Sequence, residues 1–374
     1  MIFKNGLVLD KSFRFVATDV TVENGKITHI GKVENTAGQE VVDCTGKYVI
    51  PGFVDIHTHG CGGSDACDAT IEAMDVMSDT QGKAGVTSFC ATSMTVPAEQ
   101  IERVFTTVKE YMAGPQKRAA VIGINMEGPF FNESKKGAQR ADCLKLPDVK
   151  FFRELNAKSG NAVKLCDIAP ELPGSIEFIK AVKDEVVISI AHTAADYAQA
   201  MAAIENGASH VTHLFNAMNP FTHRAPGVVG AAADSNVYAE IICDGIHIDG
   251  AVIRAAFKLM DDRICLISDS MSAAGMPNGE YELGGQKVFV KDKKAILEDG
   301  TIAGSATNLA DCMRKAVEFG IPLNTAIKAA TYNPARSIGM EKQIGSIDVG
   351  LDADILVLAK DLALEKAFFK GVQK

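Results

Sequence analysis

His57 and His59 stand one residue apart at the end of the apolar run VIPGFVDIHTH, where Leu or Val would simply extend a core. Alternate side chains of a strand share a face, so both imidazoles project from one side of its C-terminal end. Alone, the pair also fits a polar strand end with two solvated rings. Further along, Glu127, His192 and Asp269 each end an apolar run, and His213 lies towards the end of another. Neutral imidazole and carboxylate are ligands for zinc and similar divalent ions, and a catalytic ion keeps a position open for water. Such an ion brings the pKa of its water to about 7. A carboxylate can take that proton and return it to a departing amine. His57, His59, Glu127, His192 and His213 are therefore the candidate ligands, and Asp269 the candidate acid/base. Each has a plainer role open to it: Glu127 as a turn cap, His192 as a helix-entry residue, Asp269 as an N-cap. His210 competes with His213. If 208–215 is a strand, their odd spacing sends them to opposite faces; His213, nearer the C-terminal end, is assigned to the site and His210 to packing or to support behind a ligand.

The elements that must carry these residues alternate along the chain. Candidate strands are 53–59, 85–93, 120–128, 163–171, 185–192, 208–215, 238–245 and 264–269. They are continuously apolar, and helical patterns fall between most of them; 251–260, for instance, puts Val252, Ile253, Ala256, Phe257 and Met260 on one face. Eight buried strands with intervening helices predict an α/β fold, a (β/α)8 TIM-like barrel. An open doubly wound sheet is the rival, but no glycine-rich phosphate loop follows the first strand to support it. Barrel enzymes do their chemistry at the C-terminal ends of the strands, which is where the six residues fall. Residues 1–50 and 340–374 read instead as short strands and turns, with NG at 5–6 and 24–25 as hairpin signals. They predict a small β-sandwich built from both termini, leaving 51–339 for the barrel. The stretch 275–305 reads as a β-hairpin excursion after the eighth strand.

Composition bounds the alternatives. The 374 residues are 47% apolar and 23% charged, as in an ordinary globular enzyme. With 38 basic and 47 acidic side chains the net charge is −9, which argues against a nucleic-acid or anionic-membrane surface. An anionic small substrate then needs its own local cations. No apolar run approaches the roughly 20 residues of a membrane helix. The N-terminus does not read as a signal peptide. Nine scattered cysteines without a CxxC pair fit a reducing cytoplasm.

The motifs DIHTHG, MEGPFFN, AHTAAD, VTHLFNAM, CDGIHID and ISDSMSAAG together resemble the amidohydrolase superfamily. EGPF, THLFNAM and DGIH in this order resemble its amino-sugar-phosphate deacetylases, and the likeness runs almost end to end. The resemblance implies hydrolysis of the acetamide of N-acetyl-D-glucosamine 6-phosphate; the galacto epimer, another acylated amine or a cyclic amide is the alternative. A non-catalytic scaffold of this fold is the reading outside enzymes, and its expected mark is missing ligands. The resemblance assigns Glu127, His192 and His213 to a principal divalent ion, zinc before iron, manganese or cobalt, and His57 and His59 to the pair that can hold a second, which implies one or two ions per subunit. Asp269 matches the acid/base. Substrate contacts are implied for Ala138, Gln139, Asn216 and Ala217, for Asp244, Gly245, Ile246 and His247, and for Ile302, Ala303 and Gly304. Arg224 matches an arginine that reaches the phosphate bound by the neighbouring subunit, which implies a homodimer. Some members have histidine where this chain has Gln139, an amide that can donate a hydrogen bond but brings no cation.

Overall fold

The computed structural model describes residues 1–374 and contains two large sheets. The first gathers both chain ends. Ile2–Leu9 runs at its centre, antiparallel to Phe15–Glu23 and parallel to Val41–Asp43 and Tyr48–Pro51. Tyr48–Pro51 then pairs antiparallel with Ile355–Leu358, so the C-terminal strands complete a sheet begun by the N-terminal ones. Phe3, Val20, Ile27, Val49, Ile355 and Phe368 share one buried cluster on this sheet.

The two NG pairs part company here. Asn24 and Gly25 both have positive φ, 50° and 77°, as a two-residue hairpin turn requires. Asn5 is also left-handed, at φ 64°, but the strand continues through it. The pairing register shifts between Phe3 and Gly6, so this NG is a bulge rather than a turn. The Asp19 carboxylate accepts from Asn5 N at 2.9 Å and holds it there.

The second sheet has eight parallel strands in strict chain order. They are Phe53–Thr58, Val86–Thr92, Ala120–Phe130, Val163–Ile168, Val187–Ile190, Ala208–Val211, Tyr238–Ile242 and Ile264–Ile267. All six residues of the first strand and all seven of the second are buried, as in a parallel sheet covered on both faces. The two edge strands are joined only at one end, by a parallel bridge between Thr58 and Ser270. His59 N donates to Ser270 O at 2.8 Å and Asp269 N to His57 O at 3.0 Å. Beneath them Ser268 Oγ donates to Asp55 Oδ2 at 2.5 Å. Burial pushes Asp55 up to about 7 despite these hydrogen bonds.

Several strands end earlier than their apolar runs, because the chain turns as soon as it clears the sheet. The run 208–215 is a strand only to Val211, which places His213 beyond it. The helix Gly250–Met260 buries Ile253, Ala256, Phe257 and Met260 at spacings of three, one and three, while Val252 lies a third of a turn away and is 36% exposed. The excursion after the eighth strand is a three-stranded antiparallel sheet, Gly279–Leu283, Gln286–Lys291 and Lys294–Ile296, one strand more than a hairpin. All nine cysteines are free thiols, and no helix is long and apolar enough to cross a membrane.

Gly60, directly after His59, is hemmed in by backbone. A Cβ there would lie 2.3 Å from Ser64 O and 3.1 Å from Ser272 N. Main-chain atoms of two bonded segments cannot give way as a side-chain tip can. Gly60→Ala is expected to destabilise the metal-free protein by about 1–3 kcal/mol, read as a lower urea midpoint at unchanged m-value.

Candidate metal centre and substrate pocket

Three of the six candidate residues are presented by one repeated turn. His192, His213 and Asp269 each lie two residues past their strand, after Ile190, Val211 and Ile267. Each has a left-handed backbone, with φ of 44°, 29° and 47°. Non-glycine residues adopt this region rarely, at a cost on the order of 1–3 kcal/mol, and such strain gathers at functional sites. The turn, not strand parity, aims His213 at the site. His210, still within its strand, is buried with Nδ1 3.1 Å from Ser189 Oγ. Glu127 lies inside its own long strand, His57 at the penultimate position of the first, and His59 one residue beyond it.

The six side chains converge in two buried groups, Glu127 with His192 and His213, and His57 with His59 and Asp269. Glu127 Oε1 is 3.1 Å from His192 Nε2 and 3.2 Å from His213 Nε2, and these two nitrogens are 3.2 Å apart. Asp269 Oδ1 is 3.2 Å from His59 Nε2 and 3.5 Å from His57 Nε2. Glu127 also joins the groups, with Oε2 3.3 Å from His59 Nε2 and Oε1 3.6 Å from His57 Nε2.

Hydrogen bonding tests whether this donor set fits a cation. His192 Nδ1 lies 2.9 Å from the Lys135 carbonyl, which can only accept, so Nδ1 carries the proton. In the neutral ring, Nε2 then offers a lone pair towards Glu127 and His213. His57 Nδ1 is tied in the same way, 2.9 Å from Glu240 Oε2. Its Nε2 and Asp269 Oδ1 are buried without a hydrogen-bond partner. Electron pairs crowded this closely need positive charge between them, and an N/O set with a carboxylate behind one imidazole suits a divalent metal.

The ionisation of the metal-free site points the same way. Burial works against the imidazoliums of His57 and His59, but the surrounding carboxylates raise both above their ordinary value. Burial likewise opposes the Glu127 and Asp269 carboxylates, yet the neighbouring histidines hold both below the usual range.

A cavity of about 290 Å³ opens over the groups. Ala138, Gln139, Asn216, Ala217, His247, Ile302 and Gly304 line it together with His59, Glu127, His192, His213 and Asp269. Gln139, expected as a substrate contact, has its amide engaged within the protein. Its Nε2 donates to Glu127 Oε2 at 2.6 Å, and its Oε1 accepts from Thr95 N at 2.7 Å. Asp244 shapes the loop beneath, accepting from Ile246 N, His247 N and His247 Nδ1 at 2.8, 2.9 and 2.8 Å across the Gly245 turn. Asp244, Gly245 and Ile246 thus stand behind His247 rather than along the cavity wall. Ala303 is fully buried. Arg224 is exposed on a loop outside the cavity of its own chain and forms no ion pair within that chain.

Two contributors escaped the motif reading. Phe131 stacks on His192 with centroids 4.5 Å apart. Glu240 supports His57 from the seventh strand, and a lone carboxylate within YAEII was its available signal.

An eight-stranded parallel sheet with paired histidine–carboxylate groups at its C-terminal edge is the arrangement of a metal-using hydrolase. The Amidohydrolase family matches residues 48–374. N-acetylglucosamine-6-phosphate deacetylase of Lysinibacillus sphaericus is 34% identical over 376 residues, covering 99% of this chain and 97% of that protein. The enzyme of the same name from Bacillus subtilis (strain 168) is 36% identical over 361 residues, covering 94% and 91%. Among solved structures, an N-acetyl-D-glucosamine-6-phosphate deacetylase mutant from Mycobacterium smegmatis, in complex with N-acetyl-D-glucosamine-6-phosphate, superposes with a TM-score of 0.94. It is 30% identical, with 100% of this chain and 98% of that one covered. The chain belongs to the amidohydrolase family, in its N-acetylglucosamine-6-phosphate deacetylase branch.

The His247–Asp244 pair gives a pH signature. Burial disfavours the His247 imidazolium, but the Asp244 hydrogen bond and charge outweigh it and raise the pKa above 6.5. While Asp244 is ionised, the His247 contribution to stability is therefore complete below pH 6.5 and is lost as pH rises through the raised folded value. Asp244→Asn is expected to move the His247 ring titration, followed by NMR, downward to 6.5 or below and to remove this pH-dependent increment.

Proposed function

We propose that this chain hydrolyses the acetamide of N-acetyl-D-glucosamine 6-phosphate to D-glucosamine 6-phosphate and acetate, in cytoplasmic amino-sugar metabolism. The observation that carries the reading is the meeting of two histidine–carboxylate groups through Glu127, under a cavity that also exposes Asp269 and His247. Full-length similarity to deacetylases, one of them solved with this sugar phosphate, supports the substrate. The proposal includes a closed (β/α)8 barrel over 51–339, for which the Thr58–Ser270 bridge between the edge strands speaks. It also includes a small β-sandwich from 1–50 and 340–374, for which the buried cluster of the terminal sheet speaks.

The proposed ligands are Glu127, His192 and His213 for one divalent ion and His57, His59 and Asp269 for a second, with zinc the first choice and iron, manganese or cobalt the alternatives. A cation held there supplies Lewis acidity, acidifying water and polarising a carbonyl oxygen. Asp269 is held below the usual carboxylate range, because the neighbouring imidazoles of His59 and His57 offset its burial. Its carboxylate takes a proton from the attacking water as the new C–O bond forms. The same proton passes to the amine nitrogen as the C–N bond breaks, leaving acetate and the amino sugar. His247, with Nδ1 held by Asp244, turns its other nitrogen to the substrate. Asn216 Nδ2 is bonded to the carbonyls of His213 and Leu214, which fixes its amide beside the cavity. Exposed Arg224 serves the phosphate bound in the neighbouring subunit of a homodimer, where a guanidinium offers bidentate recognition that a net acidic protein otherwise lacks.

Asp269→Asn, loaded with zinc, is expected to release acetate about 10²–10⁴-fold more slowly than the unaltered chain; undiminished release would sink the mechanism. For Arg224→Ala, KM for the phosphorylated substrate is expected to rise about tenfold or more, while kcat/KM for unphosphorylated N-acetylglucosamine stays unchanged. Equal losses on both sugars would remove Arg224 from the phosphate.

A further inference from the structure

The geometry points to Glu240 as a positioning residue that sets the His57 tautomer and thereby makes the His57–His59–Asp269 position competent for an ion. Glu240 lies in the middle of Tyr238–Ile242 and is fully buried. Its Oε2 is 2.9 Å from His57 Nδ1 and accepts from His213 N at 3.2 Å. Its main-chain carbonyl accepts from Leu214 N at 2.8 Å. One residue is therefore bonded both to a ring of one group and to the turn that presents a ring of the other.

The tautomer is what matters chemically. An ionised carboxylate only accepts, so the His57 Nδ1 that faces it carries hydrogen. Nε2, buried and without a partner, is left to bind a cation beside Asp269 and His59. His59 has no such support, since its Nδ1 is buried without a partner. His57 is therefore the ring of this group whose orientation another side chain dictates. The principal group does not need the Glu240 side chain for its tautomer, because the Lys135 carbonyl sets that of His192. Carboxylates behind ligating histidines change metal affinity by about 10–100-fold on mutation.

This inference rests on the proposed two-ion site, and its test reads ion binding rather than turnover. Zn²⁺ is titrated against a chromophoric chelator into metal-free unaltered protein, Glu240→Gln, His57→Gln and the double variant. Glutamine keeps the shape, and circular dichroism and thermal unfolding of the metal-free proteins identify any variant that fails to fold. The unaltered chain is expected to take two ions. Glu240→Gln is expected to weaken the second about 10–100-fold and to leave the first within about twofold. In the His57→Gln background the Glu240 change is expected to have no further effect, since its influence passes through that ring. The inference is overturned if Glu240→Gln leaves both affinities intact, weakens both equally, or adds its full effect to His57→Gln. Uptake of a single ion by the unaltered chain also overturns it. A protein that binds two ions in this pattern but releases no acetate would remove the deacetylase reading and leave the role of Glu240 standing.

Discussion

Between the imidazoles of His57, His59, His192 and His213 stands a single buried carboxylate, that of Glu127, and the surrounding structure is organised to hold it there. Removing an ionised carboxylate from water costs several kcal/mol unless partners compensate. Here they come from four parts of the chain: the HTH segment, the turns after the fifth and sixth strands, and the Gln139 amide, itself tied to Thr95. No two of these histidines except His57 and His59 are near in sequence, so the arrangement exists only when the parallel strands are in register. Fold and site are in this sense one problem.

The parallel sheet resolves that problem by bringing every strand's C-terminal end to one edge. The first and last strands meet at Thr58 and Ser270, one residue from His57, His59 and Asp269. The hydrogen bonds of that seam, His59 N to Ser270 O and Asp269 N to His57 O, run through the main chain of the proposed ligands themselves. The terminal sheet lies apart from this edge, and none of its strands contributes to the cavity. The three-stranded excursion does contribute, through Leu283 and through a hydrogen bond from Gln286 to the Ala138 carbonyl.

Much of this was legible in the chain. Histidines and acids at the ends of apolar runs named the six converging residues, because the C-terminal ends of buried parallel strands are where such a fold does its chemistry. The alternation of strand and helix was equally plain. What failed to show was whatever depends on local backbone geometry or on a distant partner. Asn5-Gly6 has the composition of a turn, but the demands of Asp19 and the neighbouring strand make it a bulge. His213 was placed by its position towards the end of an assumed strand, although a left-handed turn beyond that strand performs the aiming. Val252 satisfied an apolar pattern yet fell on the outer face of its helix. Gln139 was noticed as an amide in place of a ring, but its commitment to Glu127 depends on atoms 12 residues away.

The recurring turn at His192, His213 and Asp269 bears on how a site like this acquires its ion. Main-chain torsions, rather than freely rotating side chains, carry much of the aim. The loss of conformational freedom needed to gather the donors is therefore settled while the polypeptide folds, and little is left for the encounter with a cation. Capture would then find rings already facing one another, so uptake should resemble exchange at a rigid chelate more than the closing of a flexible loop.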